Sequence, residues 1–93
     1  MPNTYAAYKI IIINKAGFHV RPITAFVQTA TKYKCDITVK FHNQTINGKS
    51  VLECTLLAAA SGAELYVEAI GDDAEEAIRD IVQLAENKFG IEE

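Results

Sequence analysis

The strongest constraint in this chain is the way its hydrophobic period switches back and forth between that of a strand and that of a helix. Asp36 to His42 alternates strictly, with Ile37, Val39 and Phe41 on one side and Asp36, Thr38, Lys40 and His42 on the other. That pattern predicts a half-buried strand. Glu64 to Ile70 repeats it, with Leu65, Val67 and Ala69 opposed to Glu64, Tyr66 and Glu68 before Gly71. Between and around these stretches the period lengthens. Val20 to about Tyr33 carries Ile23, Phe26, Val27 and Ala30 at helical spacing, with Pro22 tolerated in the first turn. Ser50 to Ala60 predicts a second, shorter helix, with either Leu52, Leu56 and Ala59 or Val51, Cys54 and Ala58 facing inward. Asp72 or Asp73 caps a third, in which Ala74, Ala77, Ile78, Ile81, Val82 and Ala85 form one apolar stripe.

Two further strands complete the order. Tyr5 to Asn14 is β-branched and ends at Lys15, Ala16 and Gly17; its run of Ile10 to Ile13 leaves both faces apolar and predicts a central strand. His42, Asn43 and Gln44 turn the chain, and Thr45 to Gly48 returns as a short hairpin arm. The element order is β-α-β-β-α-β-α. The expected fold class is α+β, a two-layer open-faced sandwich with a four-stranded, mostly antiparallel sheet and three helices on one face. With 93 residues, 49% of them hydrophobic, the chain is expected to form a single domain over residues 1–93 with one small core.

Composition narrows the function. The net charge is −3, yet the first fifty residues hold seven Lys and Arg against Asp36 alone, while the remainder holds Arg79 and Lys88 against eleven carboxylates. Most cations therefore accompany the candidate site residues of the first half, and an acidic chain without basic runs is not expected to bind nucleic acid. No apolar stretch approaches the ~20 residues of a membrane span, and Met1 to Tyr8 has no secretory pattern. Cys35 and Cys54 form neither a disulfide framework nor a metal cluster. A reducing cytoplasm is the expected location, with both thiols acting as small buried hydrophobes.

The candidate chemistry lies in Gly17-Phe18-His19-Val20-Arg21-Pro22, where a histidine stands at the junction of a loop and a helix N-terminus. Unpaired backbone N–H groups and the helix dipole make such a start an anion site. The same field favours a neutral, nucleophilic imidazole. Arg21, two residues along, brings a planar fork of donors suited to phosphate oxygens. Together they describe a phosphoryl acceptor, the plainer alternative being a capping histidine beside a solvated arginine. His42, on the polar face of a strand, reads as a solvated histidine. No paired carboxylates, metal ligands or Ser/Cys nucleophile with a placed base suggest hydrolysis.

The segment from Gly17 to Pro22 resembles the phosphorylation-site motif of the HPr family, the histidine-containing phosphocarriers of the bacterial phosphoenolpyruvate:sugar phosphotransferase system. Asn47-Gly48-Lys49-Ser50-Val51-Leu52 resembles the family's second motif, centred on a regulatory serine. The His–Ser spacing, the length and the element order match as well, so the resemblance covers essentially the whole chain. It implies a carrier, not an enzyme with its own small-molecule substrate. His19 would take a phosphoryl group on Nδ1 from phosphoenolpyruvate-charged enzyme I and pass it to an enzyme IIA domain. Arg21 would neutralise the phosphate, with the Val20 and Arg21 backbone N–H groups helping to hold it. No cofactor or metal is implied, and a monomer is expected. A partner face would comprise Phe18, Lys49, Val51, Leu52 and Leu56. The sequence departs from the family pattern at Phe18, Ile23 and Cys54, none of which removes a reacting group.

Ser50 carries two readings. Ser50-Val51-Leu52-Glu53 is a capping box, in which the hydroxyl and the Glu53 carboxylate each satisfy a free N–H. By resemblance, Ser50 is also a target for an HPr kinase/phosphorylase, which would place a charge of about −1.5 to −2 there. Three functions remain open at this stage: sugar-uptake phosphocarrier, regulatory or nitrogen-type phosphocarrier, and an unphosphorylated interaction module.

Overall fold

In the computed structural model, which describes residues 4–93, the chain runs β1 (Tyr5–Ile11), α1 (Val20–Ala30), β2 (Asp36–Phe41), β3 (Gln44–Asn47), α2 (Val51–Thr55), β4 (Glu64–Ile70) and α3 (Ala74–Glu86). A 3₁₀ turn, Lys88–Gly90, follows α3. The α+β order is the expected one. The sheet is wholly antiparallel in the order β1-β4-β2-β3, with Ile10 opposite Leu65, Val39 opposite Val67, and Val39 opposite Ile46. Those residues face the helices and are buried. Among the described residues no helix is long and apolar enough to cross a membrane.

The alternating strands form as their pattern dictates, and β4 matches its expected bounds residue for residue. The expectation of a central β1 is corrected, for β1 pairs with β4 alone and lies at the sheet edge. Its isoleucines are not buried on both faces: Ile10 and Ile12 lie in the core, whereas Ile11 and Ile13 are 49% and 44% exposed. Past the strand end, Ile12 still pairs with the β4 approach, donating to the Ala63 carbonyl and accepting from Gly62 N–H.

The second helix is shorter than the Ser50 to Ala60 expectation, ending at Thr55. Beyond it the chain tightens, with Leu56 and Leu57 N–H donating to the Glu53 and Cys54 carbonyls, and Ala58 adopts φ 49°. This unwinding frees the Ala59 carbonyl, which accepts from Phe18 N–H at 2.9 Å and so serves the loop before α1. Cys54, Leu57 and Ala59 face the core; Val51, Leu52 and Leu56 do not.

Two polar ties fix α3 against the connection between α1 and β2. Tyr33, after α1, donates its hydroxyl to Asp80 of α3 at 2.7 Å, and that bond is the main cause of a phenol pKa pushed up to about 12. Asp73 stands at the N-cap of α3, yet its side chain caps nothing in that helix. Its carboxylate accepts from the Lys34 and Cys35 N–H groups at 2.8 and 2.9 Å, joining the start of α3 to the start of β2.

Candidate functional site

The site begins where β1 runs out. Gly17 N–H donates to the Asn14 carbonyl at 3.0 Å, closing a turn. Gly17 has φ +81°, and a Cβ there would lie 2.7 Å from the Ala59 carbonyl oxygen. Only glycine accommodates both the left-handed backbone and the close approach. The next residue anchors the turn: Phe18, 3% exposed, packs edge-on against Phe26 of α1 at 5.7 Å and against Phe89 at 5.6 Å. Phe18 is therefore removed from the expected partner face, since a buried ring cannot meet a partner; it sets the position of the residue after it.

That residue is His19. It is exposed, with extended backbone (φ −121°, ψ −158°), and is the N-cap of α1. Its carbonyl accepts from Ile23 N–H at 2.8 Å, closing the first helical turn. Its imidazole makes no capping bond. An N-cap side chain ordinarily accepts from the second or third helical N–H, and the third position here is Pro22, which has none. The Val20 and Arg21 N–H groups have no hydrogen-bond partner among the described residues. Two free donors at the positive end of an eleven-residue helix thus sit beside an unengaged imidazole. Arg21 is exposed and has no ion-pair partner among the described residues. A hollow of about 380 Å³ lies beside the ring, lined by His19, Val20, Ile23 and, across from them, Thr55, Ala58 and Ala60.

The surface flanking this point is apolar. Val20, Val51, Leu52 and Leu56 are 66%, 42%, 75% and 60% exposed, with Leu52 and Leu56 one turn apart. Lys49 differs from the expectation of a cation rimming this patch: its ammonium donates to the Tyr33 carbonyl at 2.6 Å and ties the α2 approach to the end of α1.

Ser50 is the N-cap of α2, its hydroxyl accepting from Glu53 N–H at 3.1 Å. The other half of the expected capping box is corrected. Glu53 accepts from Asn47 N–H at 3.0 Å, and Ser50 N–H goes to the Asn47 carbonyl. The β3–α2 turn thereby satisfies the donor that a reciprocal box would have served.

His42 sits in the β2–β3 turn with φ 54°, its ring 4.1 Å from that of Phe41. Both cysteines are buried and free. Burial, aided by Asp73 at Cys35 and Glu53 at Cys54, pushes each thiol up to about 11, so both are poor nucleophiles. Among the described residues no group of acidic, His and Cys side chains is placed to hold a metal. Sequence reasoning missed Asn14 and Phe89, which hold the His19 turn through the Lys88 carbonyl and the Phe18 ring; Asn14 reads only as a strand end, and neither residue has a local signal.

Residues 7–87 match the family model of the PTS HPr component phosphorylation site, PTS being the phosphotransferase system. The chain is 40% identical over 81 residues to the phosphocarrier protein HPr of Neisseria meningitidis serogroup B, covering 87% of this chain and 91% of the relative. To the phosphocarrier protein HPr of Pseudomonas aeruginosa it is 36% identical over 84 residues, covering 89% and 93%. Its fold superposes on the crystal structure of HPr from Thermoanaerobacter tengcongensis with a TM-score of 0.90 at 42% identity, covering 95% of this chain and 99% of the other. For the Bacillus anthracis phosphocarrier protein the TM-score is 0.81 at 30% identity, covering 87% and 96%. The chain belongs to the HPr family, the phosphocarrier proteins of the phosphotransferase system, which carry a phosphoryl group without independent enzymatic turnover.

Proposed function

We propose that this chain, as one domain over residues 1–93 acting in the cytoplasm, accepts a phosphoryl group on His19 from phosphoenolpyruvate-charged enzyme I and delivers it to an enzyme IIA domain of a sugar uptake system. The observation that carries this reading is the exposed His19 imidazole at the start of α1, which, like the two backbone N–H groups beside it, has no hydrogen-bond partner among the described residues. The Nδ1 lone pair attacks phosphorus, a P–N bond forms, and the bond from phosphorus to the donor breaks with its electron pair returning to the donor. The Val20 and Arg21 N–H groups and the Arg21 guanidinium receive the phosphoryl oxygens. Delivery to enzyme IIA is the same displacement in reverse. The groups that hold the phosphate are partly solvated, which keeps the phosphorylated state from becoming a trap.

The apolar surface of Val20, Val51, Leu52 and Leu56 serves as the docking face for both partners. Ser50 caps α2, and its phosphorylation by an HPr kinase/phosphorylase would add charge beside Glu53 and oppose docking. A relay assay tests the reading: enzyme I, phosphoenolpyruvate, enzyme IIA and this chain, following phosphate on enzyme IIA. Transfer is expected to vanish with His19→Ala and to slow with Arg21→Ala. Undiminished transfer through His19→Ala would refute it.

A further inference from the structure

The turn that carries His19 is tied at three points to the segment after α3, and those ties are built from unfavourable parts. Asn14 is 1% exposed. Its Nδ2 donates to the Lys88 carbonyl at 2.9 Å, while its buried Oδ1 has no partner among the described residues. A buried amide needs a hydrogen-bond partner, and the Lys88 carbonyl is the one the fold supplies. Lys88 and Phe89, neither of them glycine, both adopt left-handed backbone, with φ 55° and 57°. Consecutive left-handed residues are uncommon, and such outliers concentrate where position matters for function.

These features have one shared result. The reversal at Lys88 and Phe89 aims the Lys88 carbonyl at Asn14 and sets the Phe89 ring 5.6 Å from Phe18. Beyond it, the Glu93 carboxylate accepts from Lys15 N–H through both oxygens, at 3.1 and 2.9 Å, with the Lys88 ammonium 4.0 Å from the same group. The Glu93 side chain is 12% exposed, so this carboxylate is held in the turn and not merely near it. Residues 14, 15 and 18 are thus each gripped from the 88–93 segment. The same segment, through Phe89, Gly90 and Ile91, also lines a hollow beside Val20 and Arg21.

We propose that Asn14 and Glu93 are positioning residues for phosphoryl transfer: they clamp the turn so that the His19 ring and the Val20 and Arg21 N–H groups face an incoming phosphoryl group in register. The proposal rests on His19 as acceptor. Neither residue touches the reacting atoms, and each acts through the turn. Small misplacements of an attacking group lower rate steeply while leaving docking intact, so the effect belongs in kcat.

The test measures phosphorylation by enzyme I and phosphoenolpyruvate for wild type, Glu93→Ala, Glu93→Gln and Asn14→Ala, each well below its own melting temperature. Glu93→Ala is expected to lose about three-fold in kcat, and Asn14→Ala about ten-fold, with KM for enzyme I unchanged. Glu93→Gln is expected to recover most of the loss, because its amide oxygen still accepts from Lys15 N–H. A wild-type kcat in Glu93→Ala, a loss confined to KM, or no recovery in Glu93→Gln would overturn the proposal while leaving the acceptor reading standing. A wild-type chain that takes no phosphate would overturn the acceptor reading, and this proposal with it.

Discussion

Gly17→Ala puts the architecture of the site to a quantitative test, because Gly62 supplies an internal control. Both glycines have left-handed backbone, φ +81° and +90°. A Cβ on Gly62 would meet nothing within 4 Å, whereas one on Gly17 would lie 2.7 Å from the Ala59 carbonyl oxygen and 3.1 Å from the Ala60 Cα. Placing alanine in the left-handed region costs about 1–2 kcal/mol. Reduced freedom of the unfolded chain returns about 0.4–1 kcal/mol. Gly62→Ala should therefore lose about 0–1.6 kcal/mol. Gly17→Ala incurs the same cost and must also push apart two backbone segments joined by the Phe18 N–H to Ala59 carbonyl bond, an overpacking of about 1–3 kcal/mol that comes on top of whatever Gly62→Ala loses, for a total of about 1–4.6 kcal/mol. In a domain of this size each kcal/mol moves the melting temperature by about 4–8 °C. Urea unfolding of both variants reads the difference directly, with equal m values as the check on two-state behaviour. Phosphorylation of folded Gly17→Ala should also slow, since the shifted turn carries His19. Equal losses for the two variants would refute the close approach and the role given to the α2–β4 connection in holding the site.

Three further expectations follow from particular contacts. Leu52→Asp places a charge on a side chain that is 75% exposed, so stability should change by less than about 0.5 kcal/mol while KM for enzyme I rises; an unchanged KM would remove α2 from the docking face. Ser50→Ala should cost about 1 kcal/mol by loss of the α2 cap, whereas Ser50→Asp, a good cap residue, should retain stability but accept phosphate more slowly. Equal phosphorylation rates for wild type and Ser50→Asp would leave Ser50 a structural cap alone. The Asp73 carboxyl is held below its ordinary value, first by the Lys34 N–H and then by Cys35, against the opposing effect of burial. Its contribution is thus complete above the ordinary carboxylate value and disappears as pH falls through the lowered one. The gap in urea midpoint between wild type and Asp73→Asn should be widest near neutral pH and close below about pH 4; a gap independent of pH would contradict the tie.

The fold was legible because each element keeps one clear period: the alternation in β2 and β4 and the stripe on α3 dictate which side meets the core. Where two local patterns competed, tertiary pairing decided. Four consecutive isoleucines satisfy a central strand and an edge strand equally well, and the inward set, Ile10 and Ile12, is fixed by register with β4, which composition does not encode. The segment Leu56 to Ala60 has every helical propensity, yet its carbonyl at Ala59 is claimed by Phe18. The site divides in the same way. That His19 stands at a helix N-cap and Arg21 in the first turn could be read from the proline that follows them. Phe18 was legible as apolar but not as buried, and Lys49 as a cation but not as a ligand of the Tyr33 carbonyl. Asn14, Lys15 and Phe18 meet Lys88, Glu93 and Phe89 across more than seventy residues of chain, a relation that no local pattern records.

The most direct test of His19 as phosphoryl acceptor is intact mass after incubation with enzyme I, magnesium and phosphoenolpyruvate, with and without acid treatment, for wild type and His19→Ala. One phosphate-sized gain that acid removes is expected on wild type, and none on His19→Ala. A gain that survives acid, or one retained by His19→Ala, would place the phosphate on another residue and contradict the site described here.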